Sequence, residues 1–175
     1  MSEQMLILVN EDDEAIGTLP KEECHLGDGI LHRAFSIFIY NDQGEVLIQR
    51  RGAKKMLWPG YWSNACCSHP HLSENLSHAI HRCLKHELGI NCELSFLYKF
   101  IYKSRFNEVG TEHELCSVWR GDCSSIISPH ESEIMESRFI PPLELDREIK
   151  HSPEIFTPWL ILEWEEIQKN YSGDR

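Results

Sequence analysis

Apolar and polar positions alternate along this chain in short blocks, and the period of each block predicts its element. Residues 5–9 form a brief apolar run, followed by an acidic turn at 10–14. A second short strand is expected at 15–19, closed by Pro20. Residues 21–32, KEECHLGDGILH, hold two glycines and read as a loop that wraps around something. Residues 33–40 and 45–50 are apolar, β-branched runs separated by Asn41-Asp42-Gln43-Gly44, the pattern of a β-hairpin.

Residues 73–87 follow a helical period. Leu76, Ile80, Leu84 and Leu88 recur every four residues, with Ala79 and Cys83 beside them. Ser73 or Asn75 can cap the start and Gly89 the end. Two further strands are expected at 94–103 and 113–120, joined by a polar turn at 105–111, with a weaker one at 133–140. A short helix is expected at 143–150. Thr157 and Pro158 mark the start of a last helix with Leu160, Trp164 and Ile167 on one face. Strands and helices mix without a strict βαβ rhythm, so the expected class is α+β, a mixed sheet flanked by helices.

Composition narrows the picture. The 175 residues, 1–175, suit one domain with a core that needs no covalent staples. A net charge of −11 argues against nucleic acid or an anionic membrane as a partner, though a few local cations suffice for a small anion. The seven cysteines include no CxxC pair and read as reduced thiols of a cytoplasmic protein. The first residues lack the basic segment and cleavage site of a signal peptide, and no apolar run approaches the ~18 residues of a membrane span.

Several polar clusters carry candidate chemistry. Glu112 and Glu114 are two apart on an expected strand, so both carboxylates point to one side. Such a pair repels itself unless a cation lies between, but exposed acidic pairs are also common on solvated faces. The same parity groups Cys67 with His69 and with His71. His25 and His32 taken singly are ambiguous; three histidines with two carboxylates can satisfy a divalent cation such as manganese, magnesium or zinc. Buried cysteine is most often a small hydrophobe. Lys21, Arg51, Lys54 and Lys55 suit either a phosphate or a solvated rim. Trp58, Trp62, Trp159 and Tyr102 are most simply core aromatics, with Trp159 placed to line a pocket.

From Ser68 the sequence resembles a degraded Nudix box, G-x5-E-x7-R-E-U-x-E-E-x-G-U. Glu74, Arg82, Leu84, Glu87, Gly89 and Ile90 match, whereas Ser68, Cys83 and His86 depart from it. The departures, together with HLGDGILHRAFS, RRGAKKMLWPGYWSNACCSHP, TEHELC and TPW, make nearly the whole chain similar to the type I isopentenyl-diphosphate isomerases. That family keeps the Nudix fold without hydrolysing its substrate.

The resemblance implies a Nudix-type mixed sheet and the conversion of isopentenyl to dimethylallyl diphosphate; the chain is separately expected to act as a monomer. The resemblance assigns His25, His32, His69, Glu112 and Glu114 to one divalent metal, of manganese, zinc or magnesium type. It gives Glu87 to a magnesium that arrives with the diphosphate. Cys67 and Glu114 match the catalytic pair, Tyr102 the tyrosine beside it, and Trp159 the tryptophan over the hydrocarbon. Lys21, Arg51 and Lys55 match the diphosphate-binding cations. Two departures bear on this: Ser68 stands where the family has a glycine, and Cys83 where some relatives have a basic residue; Lys85 is a nearby substitute but lies off that helical position. The alternatives are a Nudix diphosphohydrolase, against which the missing carboxylates at Cys83 and His86 weigh, and a metal-holding module without turnover.

Overall fold

The computed structural model describes residues 4–171. Its centre is a long strand, β3 (His32–Tyr40), almost wholly buried because its residues alternate between two covered faces. On one side β3 pairs in parallel with β8 (Gly110–Asp122), His32 opposite Glu114 and Ser36 opposite Val118. On the other it pairs antiparallel with the three-residue strand β6 (Cys66–Ser68), which sets Ser36 opposite Cys67. β7 (Leu94–Phe106) extends the sheet beyond β8 through a tight turn, with Phe106 paired to Gly110. The turn is much shorter than the 105–111 expected, because Asn107 takes the left-handed conformation (φ 50°) that folds the ladder back at once.

β1 (Met5–Val9) and β2 (Ala15–Pro20) form an antiparallel ribbon joined to β3 through Leu8 and His32. The expected hairpin between 33–40 and 45–50 is only a corner. Its turn forms, with Asn41 Oδ1 accepting from the N–H groups of Gln43 and Glu45. Yet Tyr40 and Val46 are the one pair joining β3 to β4 (Val46–Arg51). The strands part because β3 is already flanked by β6 and β8, while β4 pairs with β5 (Trp62–Asn64) and β9 (Ile134–Ile140).

Residues 21–32 do not all form loop. Lys21–His25 makes a short helix, α1, directly after Pro20. The loop that follows lies against β8, and Gly29 permits it: φ is +68°, and a Cβ there would stand 2.9 Å from Thr111 O.

The helix α2 (Leu76–Leu88) starts later than the period suggested. Ser73 is left-handed (φ 69°), so Asn75 caps instead, accepting from the N–H of His78, and Gly89 ends the helix at φ 70°. Its apolar stripe of Ala79, Ile80, Leu84 and Leu88 packs on Phe35, Ile37 and Ile39. The opposite sheet face receives α4 (Pro158–Asn170), whose Leu160, Trp164 and Ile167 meet Phe38, Tyr40 and Val118. Leu145 of α3 (Pro142–His151) joins them. Each such fully buried side chain contributes roughly 1.5–3 kcal/mol. Thr157 begins α4, but its hydroxyl donates to Ser63 Oγ rather than capping the helix. Among the described residues no helix is long and apolar enough to cross a membrane.

The cysteines do not all stay free. Cys66 on β6 is bonded to Cys83 on the inward face of α2, correcting the expectation of seven reduced thiols. Their separation of 17 residues has no motif to betray it; only packing α2 on the sheet brings the two sulfurs together.

Candidate active site

The even-numbered residues of β3 and β8 share a face, and at the His32–Glu114 end they meet β6, β7 and α1 around a cavity of about 320 Å³. Lys21, His25, Arg51, Lys55, Cys67, His69, Tyr102, Glu112, Glu114 and Trp159 all line it. Ten of the twelve residues assigned by the resemblance thus line one cavity, while His32 and Glu87 do not line it.

His25, His32, His69, Glu112 and Glu114 each place a donor atom within 4.8 Å of the others, and all five are buried. His25 Nδ1 donates to Lys21 O at 2.6 Å, and His32 Nδ1 to Ile30 O at 2.7 Å. Those carbonyls fix the tautomers and turn the unprotonated Nε2 of both rings inward, as a metal ligand requires. Without a cation the arrangement is poorly satisfied. His32 Nε2 faces His69 Nε2 at 3.2 Å, and His69 Nδ1 is buried without a hydrogen-bond partner. His69 Nε2 lies 2.8 Å from Glu114 Oε1, and His25 Nε2 lies 2.8 Å from Glu112 Oε2.

At His69 and Glu114 the electrostatics agree, whereas His25 is raised, burial opposing and the Glu112 hydrogen bond outweighing it. Burial pushes His69 down to about 3, against the pull of Glu114, so the ring stays neutral. Burial opposes ionisation of Glu114, but the neighbouring His32 and His69 rings outweigh it and hold the carboxyl well below its usual range. Neutral imidazole and ionised carboxylate are the states a divalent cation binds. The group can hold a metal ion, and its mixed nitrogen and oxygen donors suit several divalent ions.

His71 does not join the group. β6 ends at Ser68, and the His71 N–H donates to Glu74, which also receives Arg82 at 2.8 Å and clamps the loop onto α2. Glu87 lies apart from the five donors, its Oε1 3.5 Å from Cys83 Sγ. Burial raises its carboxyl, while Lys55, Arg51 and Lys21 pull it back down. It therefore feels the cations at the basic end of the cavity. There Lys21 is lowered by burial and by Lys55, and Lys55 pairs with Glu133, a residue that no motif or parity singles out.

Arg51 is buried, donating to the carbonyls of Trp58 and Leu57 with its Cζ 4.9 Å over the Trp159 ring. That tryptophan is further fixed by donating to Ser63 Oγ at 3.0 Å and by a perpendicular contact with Trp58, centroids 5.3 Å apart. The Tyr102 hydroxyl donates to Glu114 Oε2 at 2.6 Å.

Two expectations about the departures change. Ser68 sits in regular strand opposite Phe35 and outside the left-handed region, so its backbone has no need of glycine. Lys85 is exposed on the far surface of α2 with His78, His81 and Arg82 and does not reach this cavity. It cannot stand in for a basic residue at Cys83.

Residues 30–160 match the NUDIX domain family model. The chain is 44% identical over 168 residues to isopentenyl-diphosphate Delta-isomerase 1 of Photorhabdus laumondii, covering 95% of this chain and 96% of that protein. It is 35% identical to the isopentenyl-diphosphate Delta-isomerase of Clavibacter michiganensis, over 91% of this chain and 84% of that one. Among solved structures, a Deinococcus radiodurans protein superposes with a TM-score of 0.76 at 21% identity, covering 96% of this chain and 99% of that one. A MutT protein of Methanosarcina mazei gives 0.67 at 15% identity, over 81% and 96%. These last two share the fold alone. By sequence over nearly its whole length, the chain belongs to the isopentenyl-diphosphate Delta-isomerases of the NUDIX superfamily.

Proposed function

We propose that this protein is an enzyme interconverting isopentenyl and dimethylallyl diphosphate, acting as a single-domain monomer in the cytoplasm. The observation that carries the reading is the meeting of a thiol, Cys67, and a tyrosine-braced carboxylate, Glu114, in one cavity whose other end is basic. The reaction shifts a double bond. The alkene's π electrons take a proton from an acid, leaving a tertiary cation; a C–H bond on the other side then gives its electrons to the new double bond and its proton to a base. Positioned acid and base groups supply about 10²–10⁴-fold in such steps.

Cys67 and Glu114 serve as that pair, one giving and the other taking. A divalent metal on His25, His32, His69, Glu112 and Glu114, of manganese, zinc or magnesium type, supplies positive charge that favours the ionised form of Glu114. Tyr102 holds the carboxylate by its second oxygen. Trp159 presents a π face to the hydrocarbon, worth up to about 2 kcal/mol to a desolvated cation. Lys21, Arg51 and Lys55 hold the diphosphate, with Glu87 reaching a magnesium bound to it. Because Lys55 is paired with Glu133, substrate has to compete for that ammonium. The enclosing walls keep water from trapping the cation as an alcohol.

Purified protein incubated with isopentenyl diphosphate and divalent metal should yield dimethylallyl diphosphate without free phosphate. Phosphate release without an allylic product would assign it instead to the hydrolases that share its fold.

A further inference from the structure

Behind Cys67, on the side away from the cavity, lies a buried polar network that the reaction scheme leaves unused. Glu163 is completely buried on α4, one turn after Trp159, so the same helix face delivers both residues. Its Oε2 lies 2.9 Å from Ser36 Oγ, and Ser36 Oγ lies 3.1 Å from Cys67 Sγ. Asn64 Nδ2 donates to the carbonyls of Ile37 and Cys66, which fixes the amide's orientation and turns its Oδ1 to the Cys67 thiol at 2.8 Å. The register explains the meeting, since Ser36 and Cys67 are Cα partners across β3 and β6.

We propose that Glu163 is a positioning residue for the reactive thiol: through the Ser36 hydroxyl it fixes where Cys67 Sγ points. Counting protons gives the reason for a carboxyl group there. The two Nδ2 hydrogens of Asn64 are taken by the carbonyls of Ile37 and Cys66, and Ser36 has a single proton of its own. An ionised Glu163 would take that proton and leave Sγ facing a bare oxygen. A neutral Glu163 can donate instead, and the chain then runs Glu163 O–H to Ser36 Oγ–H to Cys67 Sγ. Burial raises the Glu163 carboxyl well above its usual range, the Ser36 hydrogen bond opposing and the charge of Glu114 reinforcing, so the acid stays protonated. Held by Ser36 and Asn64, the sulfur keeps its remaining direction for the cavity.

This rests on Cys67 being a catalytic group, and the test separates the two claims. Glu163→Leu, Glu163→Gln, Ser36→Ala, Ser36→Ala with Glu163→Leu, and Cys67→Ala are compared in the full chain. The readouts are kcat, the KM for isopentenyl diphosphate, and the alkylation rate of Cys67 by iodoacetamide, read by peptide mass mapping. Glu163→Leu should lower kcat about tenfold with KM nearly constant, the size of one lost hydrogen bond, and should alter Cys67 alkylation. Glu163→Gln, which still accepts and donates, should recover most of that kcat. The double variant should resemble Ser36→Ala alone, because both changes cut the same chain.

Wild-type kcat in Glu163→Leu, an equal loss in Leu and Gln, or losses that multiply in the double variant would overturn the proposal. If Glu163→Leu does not fold, Ser36→Ala decides: unchanged kcat and unchanged Cys67 alkylation overturn it, and a drop in kcat at constant KM with altered alkylation supports it. Near-normal turnover in Cys67→Ala would remove the underlying assignment instead.

Discussion

Tyr102 and Glu114 are Cα partners across β7 and β8, and the tyrosine hydroxyl donates a 2.6 Å hydrogen bond to Glu114 Oε2. Burial and the Glu114 charge raise the phenol well above its usual range, so it remains a donor at any working pH. Hydrogen bonds to charged acceptors are worth about 1.5–3 kcal/mol. Tyr102→Phe should therefore lower kcat about tenfold to a hundredfold with little change in KM, since the cations proposed to hold the diphosphate lie at the other end of the cavity. Steady-state kinetics check this, and an unchanged kcat would show that Glu114 needs no such brace.

Cys67→Ala and Glu114→Gln should each cost at least about 10²-fold in isomerisation while the protein stays folded and still binds a diphosphate. The thermal melt and inhibition by inorganic diphosphate report on folding and binding separately from turnover. Near-normal turnover in either variant would defeat the assigned pair.

Stripping divalent ions with a chelator should remove activity and lower the melting temperature, and adding manganese, magnesium or zinc should restore both. The stability effect follows because an ion bound only to the folded state adds about 2.7 kcal/mol at a hundred times its dissociation constant. His69→Ala should blunt the thermal response to added metal, a readout independent of turnover. A melting temperature indifferent to chelator would count against the five-donor group as a metal site.

How far the sequence revealed this arrangement varied with the range of the interaction. Period and cap residues located most strands and helices, because those depend on neighbours a few positions away. The parity of Glu112 and Glu114 anticipated their shared face for the same reason. The corner between β3 and β4 was not legible, because its outcome depends on β8 and β9, up to some 90 residues later. Neither was the role of Glu163: it falls on the apolar stripe of α4, three residues after Leu160 and four before Ile167, but its partner Ser36 appears only when α4 docks on β3. His71 failed for the opposite reason, as the strand whose parity would have aimed it ends three residues earlier.

Glu74 ties the loop before α2 to the helix through Arg82, and that hydrogen bond, opposed by burial, lowers its carboxyl from 4.5 to about 2. A carboxyl depressed in the folded state stabilises it above the unfolded pKa and loses that effect as pH falls through the folded one. The melting temperature should thus hold down to about pH 4.5 and decline toward pH 2, and Glu74→Gln should show a shallower decline over that window. Parallel melting curves for the two proteins across that range would mean that the ion pair is too well solvated to matter.

The bond between Cys66 and Cys83 closes a loop whose ends are 17 residues apart, and within it lie Cys67, His69 and most of α2. By loop-closure entropy such a crosslink stabilises by roughly 3 kcal/mol. At this chain length dithiothreitol should then lower the melting temperature by about 6–12 °C. Alkylation under denaturing but non-reducing conditions should label five cysteines, Cys24, Cys67, Cys92, Cys116 and Cys123, and reduction should expose the other two. The crosslink joins the strand bearing Cys67 to the helix bearing Glu87, so reduction should also loosen the thiol relative to the basic end of the cavity. That loosening should appear as faster alkylation of Cys67 in the folded, reduced protein than in the folded, oxidised one. Labelling of all seven thiols before any reductant is added would remove the crosslink, and with it the predicted shift in melting temperature.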